Sequence, residues 1–174
     1  MKKRKILIAG ILLTMPTIVM STLVDDFERD LLGRWQAECF AVYNTFNNDL
    51  VNFNTTTVTV SPTLDVTTEV KVYAANDDTC QGSHQDVTLL KRFEVVGREY
   101  AQNSFFVYTV NVHTQNIDGE GARWEFSPII YTSLFVDSER LYYAKPTTGH
   151  LGNNDESRHF YLDMAVPFEK ISTK

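Results

Sequence analysis

The chain has 174 residues, with 22 acidic against 16 basic side chains, 43% hydrophobic residues and 12% aromatics. A length of roughly 100 to 200 residues makes one domain that buries about 70% of its unfolded surface, so folding requires no metal or disulfide mesh. The apolar content excludes wholesale disorder.

The formal charge of −6 is unevenly placed. Lys2, Lys3, Arg4 and Lys5 precede an apolar run from Ile6 to Val19, interrupted by Gly10, Thr14, Pro16 and Thr17. This is the build of a secretory signal peptide. Val19 and Ser21 supply small residues at −3 and −1, so a leader over 1–21 and a mature domain over 22–174 are expected. An uncleaved anchor is the alternative, because Ile6 to Val24 could just span a bilayer. No second apolar run follows, so no membrane span is expected in the mature form. Without the leader the balance becomes 12 basic against 22 acidic, or −10. So acidic a domain, with no basic stretch, is a poor partner for nucleic acid or anionic lipid. Export places it in the periplasm or outside the cell.

In chain order, Asp25 to Leu32 reads as one or two helical turns, with Phe27, Leu31 and Leu32 on one side. Everything after Trp35 alternates with period two. Leu64, Val66, Thr68, Val70 and Val72 point one way while Asp65, Thr67, Glu69, Lys71 and Tyr73 point the other. Phe106, Tyr108, Val110 and Val112 repeat the pattern, as do Phe160, Leu162, Met164 and Val166. Turn residues such as Asn76-Asp77-Asp78, Gly97 and Asp118-Gly119-Glu120-Gly121 separate the runs. They leave about eight strands, near 34–44, 51–60, 64–75, 86–96, 103–114, 122–136, 139–146 and 158–171. Connections this short join antiparallel neighbours, and no crossover helix is available, which excludes a parallel α/β fold. Such strands close into an up-and-down barrel or split into a sandwich. Pattern alone does not choose. Cys39 and Cys80, an even count in an exported chain, read as one disulfide.

Gly33-Arg34-Trp35 resembles the Gly-x-Trp opening of lipocalins and related calycin barrels, in which an arginine near the end of the last strand packs over the tryptophan. Antiparallel geometry places Trp35 beside Phe168 and Lys170 and sends Arg158 to the opposite end, so the arginine is missing or replaced by Lys170. The Thr-Asp-Tyr turn of that family is absent. A broader resemblance is to small exported bacterial lipocalin-like proteins, mostly of unknown function. It rests on Gly33-Arg34-Trp35 followed by Cys39, on Asp78-Thr79-Cys80, on Glu139-Arg140-Leu141-Tyr142-Tyr143, and on Leu162-Asp163 with Phe168-Glu169-Lys170. The resemblance implies an eight-stranded antiparallel barrel with a short N-terminal helix. It carries no activity, because such folds host many functions.

No enzyme signature emerges. The serine elbow Gly-x-Ser-x-Gly does not occur, and Ser83 and His84, as strand neighbours, would point to opposite faces. His84, His113, His150 and His159 show no metal-ligand spacing, the acidic turns lack a calcium ladder, and Gly119-Glu120-Gly121 lacks the strand and helix of a nucleotide loop. No cofactor is implied. If Trp35, Ala37 and Cys39 face inward, then Val70, Val72, Phe106, Tyr108, Val110, Leu134, Leu141, Phe160 and Leu162 are the candidates to line the barrel. Barrels of eight strands either fill themselves or hold one small ligand. One reading is a non-catalytic carrier of a small apolar or amphipathic ligand or lipid. The other is a filled module that recognises an envelope protein partner through exposed aromatics, with Phe105, Tyr131, Phe135 and Tyr143 as candidates.

Overall fold

The computed structural model describes residues 26–44, 47–118, 121–123 and 129–171; the expected leader lies outside them. A helix over 26–31 buries Phe27 and Leu31 on one side and exposes Asp26, Arg29 and Asp30 on the other. Gly33 ends the approach to the first strand at φ +119°, a region that side chains with a Cβ rarely enter. The last carbonyls of so short a helix have no intrahelical donor. The Trp35 indole donates to the Leu31 carbonyl at 2.8 Å, and the Lys170 ammonium donates to the Asp30 carbonyl at 3.2 Å.

The strands are β1 (Gly33–Tyr43), β2 (Leu50–Val60), β3 (Asp65–Tyr73), β4 (His84–Tyr100), β5 (Phe106–Thr114), β6 (Asn116–Asp118), β7 (Gly121–Arg123), β8 (Ile129–Val136), β9 (Arg140–Lys145), β10 (Tyr161–Leu162) and β11 (Phe168–Ile171). β1 to β5 pair in sequence, β5 pairs β8, β8 pairs β9, β9 pairs β11, and β11 returns to β1, all antiparallel. The result is a closed eight-stranded up-and-down barrel, and closure removes the edges that a sandwich would leave. β6 and β7 form a separate hairpin.

Opposed residues share a face, so pairing traces the interior around the ring. Trp35 opposes Val58 and Val58 opposes Thr68; Val110 opposes Thr132; Leu134 opposes Tyr143; Leu141 opposes Phe168. Phe27, Leu31, Trp35, Ala37, Val58, Val60, Val66, Phe93, Val110, Val112, Leu134, Leu141 and Phe168 make one buried cluster. The expected meeting of the first and last strands is found: Trp35 opposes Lys170, whose ammonium lies 4.7 Å from the indole ring centre.

Four expectations require correction. A bulge between Ala37 and Phe40 reverses the phase of β1, so Phe40 joins the interior packing while Cys39 turns out to meet Cys80. The expected strand over 122–136 is the short β7 followed by β8. Gly97 does not end β4 but pairs with Thr109 just past a bulge between Val95 and Gly97, and the strand runs on to Tyr100. The closing strand is broken by Asp163 to Pro167, where the Val166 amide turns back to the Asp163 carbonyl and Pro167 has no N–H to give the ladder. The break changes which face the apolar residues take. Phe168 opposes Leu141 inside, whereas Leu162 opposes Ala144 outside.

That outer face holds a second cluster of Ala101, Val107, Tyr142, Ala144 and Leu162, with Phe105 and Phe135 against it. Arg158, 2% exposed, pins the covering segment. Its guanidinium donates to the carbonyls of Val110 (2.7 Å) and Thr132 (2.9 Å), to Asn111 Oδ1 (2.8 Å) and to the Asp155 carboxylate, and lies over Tyr131. Gly152, at φ +70°, accepts from the Tyr131 amide, and a Cβ there would meet His159 Nε2 at 2.4 Å. Gly152→Ala is therefore expected to cost about 2 to 3 kcal/mol through strain and overpacking, read from urea midpoints.

The Cys39–Cys80 disulfide spans 41 residues and ties the loop after β3 to the bulge of β1. Asp77 organises that loop, accepting from the amides of Gly82 and Gln81 and from Thr79, which holds its carboxyl below the usual carboxylate range. In the chain-entropy model, closing such a loop contributes about 3 to 4 kcal/mol. The variant with both cysteines changed to serine should lose roughly that much stability in equilibrium unfolding; a loss below a quarter of it would show that the loop is already constrained without the bond.

Candidate functional site

The barrel interior is filled in one half and open in the other. At the closed end the helix lies across the ring, Phe27 stacks on Tyr108 with ring centres 3.7 Å apart, and Arg98 covers Tyr108 and Phe106 from the side. Toward the other end the packing gives way to a cavity of about 680 Å³. Phe40, Val42, Thr56, Val58, Thr68, Val70, Leu89, Lys91, Tyr143 and Phe168 wall it, and Tyr43, Asn44, Asn48 and Pro146 stand at its mouth. The volume falls within the roughly 300 to 1,000 Å³ usual for small-molecule sites. A second hollow of similar volume, outside the closed end, is lined by Gly33, Thr59, Ser138 and Ile171 together with the exposed charged residues Arg34, Glu139, Arg140, Glu169 and Lys170.

Two polar groups distinguish the cavity from an ordinary core. Lys91 stands between Leu89 and Phe93 on the inward face of β4 and opposes the buried Val66. It is partly buried, and its ammonium has no hydrogen-bond or ion-pair partner among the described residues. Burial pushes its pKa below the usual lysine range. Tyr143 points inward from β9, edge-on to Phe93 and Phe168. Its hydroxyl likewise has no partner among the described residues, and burial pushes its pKa up, so it remains a proton donor. At the rim Lys145 is neutralised by Asp163, 3.2 Å away, leaving Lys91 as the uncompensated charge of the wall.

The residues expected to line the barrel are distributed unevenly. Trp35, Tyr108, Val110, Leu134 and Leu141 come together in the packed half. Val70 faces the open cavity; Val72, two residues nearer the rim, is half-buried and outside both clusters. Phe106 is 40% exposed beneath Arg98. Phe160 lies ahead of β10, edge-on to His150, and Leu162 belongs to the outer cluster, because the broken last strand carries both off the interior. The aromatics expected to form an exposed patch do not: Phe105 and Phe135 pack on the outer cluster, Tyr131 lies beneath Arg158, and Tyr143 faces inward. Sequence reasoning passed over Lys91 and placed Tyr143 on the surface; the signal that could have found them is a polar residue interrupting an apolar period-two set, Lys91 between Leu89 and Phe93 and Tyr143 two residues after Leu141. Among the described residues no group of three His, Cys, Asp or Glu is placed to hold a metal, and no helix is long and apolar enough to cross a membrane.

Comparison of the chain with protein-family models, with curated proteins and with solved structures gives no match.

The lysine makes stability depend on pH in a defined direction. The unfolded chain binds the Lys91 proton more tightly than the folded one, so folding carries a cost at neutral pH that is relieved as pH rises toward the unfolded value of about 10.4. Lys91→Met should therefore have a higher urea midpoint than the parent at pH 7, with the gap narrowing toward pH 10. A variant less stable than the parent at pH 7 would mean that the ammonium is favourably solvated where it stands.

Proposed function

We propose that the protein is a non-catalytic, exported, lipocalin-like binding protein that carries one small apolar or amphipathic molecule in its barrel. The observation that carries this reading is the half-filled interior: a well-packed, helix-plugged floor lies beneath a largely apolar cavity in the other half of the barrel. A chain evolved merely to fold would gain by filling that space, since a cavity forfeits both transfer energy and contacts. Export is supported by the disulfide, a bond of oxidising compartments, and by the basic and apolar opening of the chain. The family resemblance at Gly33-Arg34-Trp35 points the same way, with Lys170 in the arginine's place.

A neutral naphthylamine probe tests the reading. Delipidated protein should bind it in a saturable way with blue-shifted emission, a total lipid extract should displace it, and Val70→Trp, which projects an indole into the cavity, should weaken it about tenfold or more while leaving the unfolding transition intact. Absence of saturable binding would overturn the carrier reading and leave recognition of an envelope protein as the better account. That alternative draws on the exposed pair of Tyr100, 75% accessible, and Phe106 on the outside of the closed end.

A further inference from the structure

The cavity is largely apolar but not electrically neutral, and among the described residues its uncompensated charge is Lys91. Leu89, Lys91 and Phe93 follow one another on the inward face of β4, with Leu89 in the open half and Phe93 in the packed cluster. Lys91 thus stands where the cavity meets its floor. Across the barrel Tyr143, from β9, touches Phe93 and Phe168 and offers a hydroxyl to the same space. The threonines Thr56 and Thr68 add short hydroxyls from β2 and β3. Above them the wall is hydrocarbon: Phe40, Val42, Val70 and Leu89.

We propose that the cavity selects single-chain amphipaths with a monoanionic carboxylate head, held head-down with the Lys91 ammonium as counter-ion, the Tyr143 hydroxyl as donor, and the chain running toward the mouth. This rests on the carrier reading and adds the ligand's chemical class. The reasoning is one of charge balance. The ammonium is partly buried, and a ligand that excludes water from it imposes a desolvation cost that one negative charge on that ligand removes by forming a charge-assisted hydrogen bond. A neutral apolar ligand would leave the ammonium desolvated and unpartnered, and a cationic one would add repulsion. A dianionic head would find only one cation, because Lys145 at the rim is held by Asp163. The other ionisable side chains of the wall are Lys145 and Asp163, which pair with each other, and the tyrosines Tyr143 and Tyr43.

The test compares ligands of one chain length: dodecanoate, dodecanol and dodecyltrimethylammonium, each displacing the neutral naphthylamine probe from delipidated full-length protein at pH 7. The parent is expected to prefer dodecanoate over dodecanol by about tenfold or more, the scale of one charge-assisted hydrogen bond. In Lys91→Met the preference should vanish while dodecanol binds at least as well as before; in Tyr143→Phe it should shrink without vanishing. Raising the pH from 8 to 10 should weaken dodecanoate while dodecanol binds as well or better, since loss of the lysine's charge removes the counter-ion of the acid and the desolvation cost borne by the alcohol. At alkaline pH, where the free lysine is partly deprotonated, dodecanoate binding should also take up protons, seen as a buffer-dependent enthalpy, because the anion favours the charged lysine. A parent that binds acid and alcohol alike, or a Lys91→Met protein that keeps the preference, overturns the proposal while the carrier reading stands. If neither ligand nor the probe binds, both fall.

Discussion

The interaction on which the rest of the structure depends is the seal made by Trp35. Its indole N–H takes the orphan Leu31 carbonyl at the end of the helix, its ring lies beneath the Lys170 ammonium, and its backbone pairs with the last strand. One side chain therefore joins the helix, the first strand and the closing strand. Closure of an antiparallel ring requires the two ends of the chain to find each other, which is a contact of high sequence separation and high entropic cost. Burial of the indole, supported by a cation over its face and by satisfied helix carbonyls, offsets that cost. Gly33 is required by the same seal, because the chain must leave the helix at positive φ for Trp35 to point inward. With the floor so closed, the opposite end of the barrel is free to remain open.

The open half arises from the distribution of side-chain volume around the ring. The packed end receives Phe27, Leu31, Trp35, Phe93 and Tyr108, whereas the inward positions above it include the smaller Thr56, Thr68 and Val70. Outside, the cluster around Leu162 and the buried guanidinium of Arg158 clamp β5, β8 and β9 from the far face. Rigidity near the cavity thus comes from outside the barrel, so the interior need not be filled to hold the wall. The disulfide acts similarly on β1, fastening a loop to the outside of a bulge whose next residue, Phe40, lines the cavity.

Much of this architecture was legible in the sequence, and what was not has a common cause. Period-two alternation locates β1, β2, β3, β5 and β9 closely, because each strand has one apolar and one wet face. The seal is legible too, since Trp35 and Lys170 follow from antiparallel counting. Counting fails wherever the phase is reset. The bulge at Glu38 and Cys39, the bulge after Val95, and the turn from Asp163 to Pro167 each switch the inward set, and a parity carried through them misplaces Cys39, Phe160 and Leu162. The outer cluster was hidden for a further reason. Val107, Phe135 and Tyr142 alternate with inward residues, so they read as surface until a covering segment, itself irregular, lies over them.

Lys91 belongs to the same argument from the opposite side. Its phase is set by the ladder: Leu89 and Phe93 flank it on an uninterrupted stretch of β4, and Val66 faces it on β3. A pattern that otherwise places apolar residues inward therefore specifies a charge inward at that position, where a leucine or methionine would fold at least as well. Placing it there sacrifices stability that the closed end must supply. The cavity and the lysine constrain each other. A filled barrel would have no room for an unpaired ammonium, and a cavity without one would have no means to tell an acid from an alcohol.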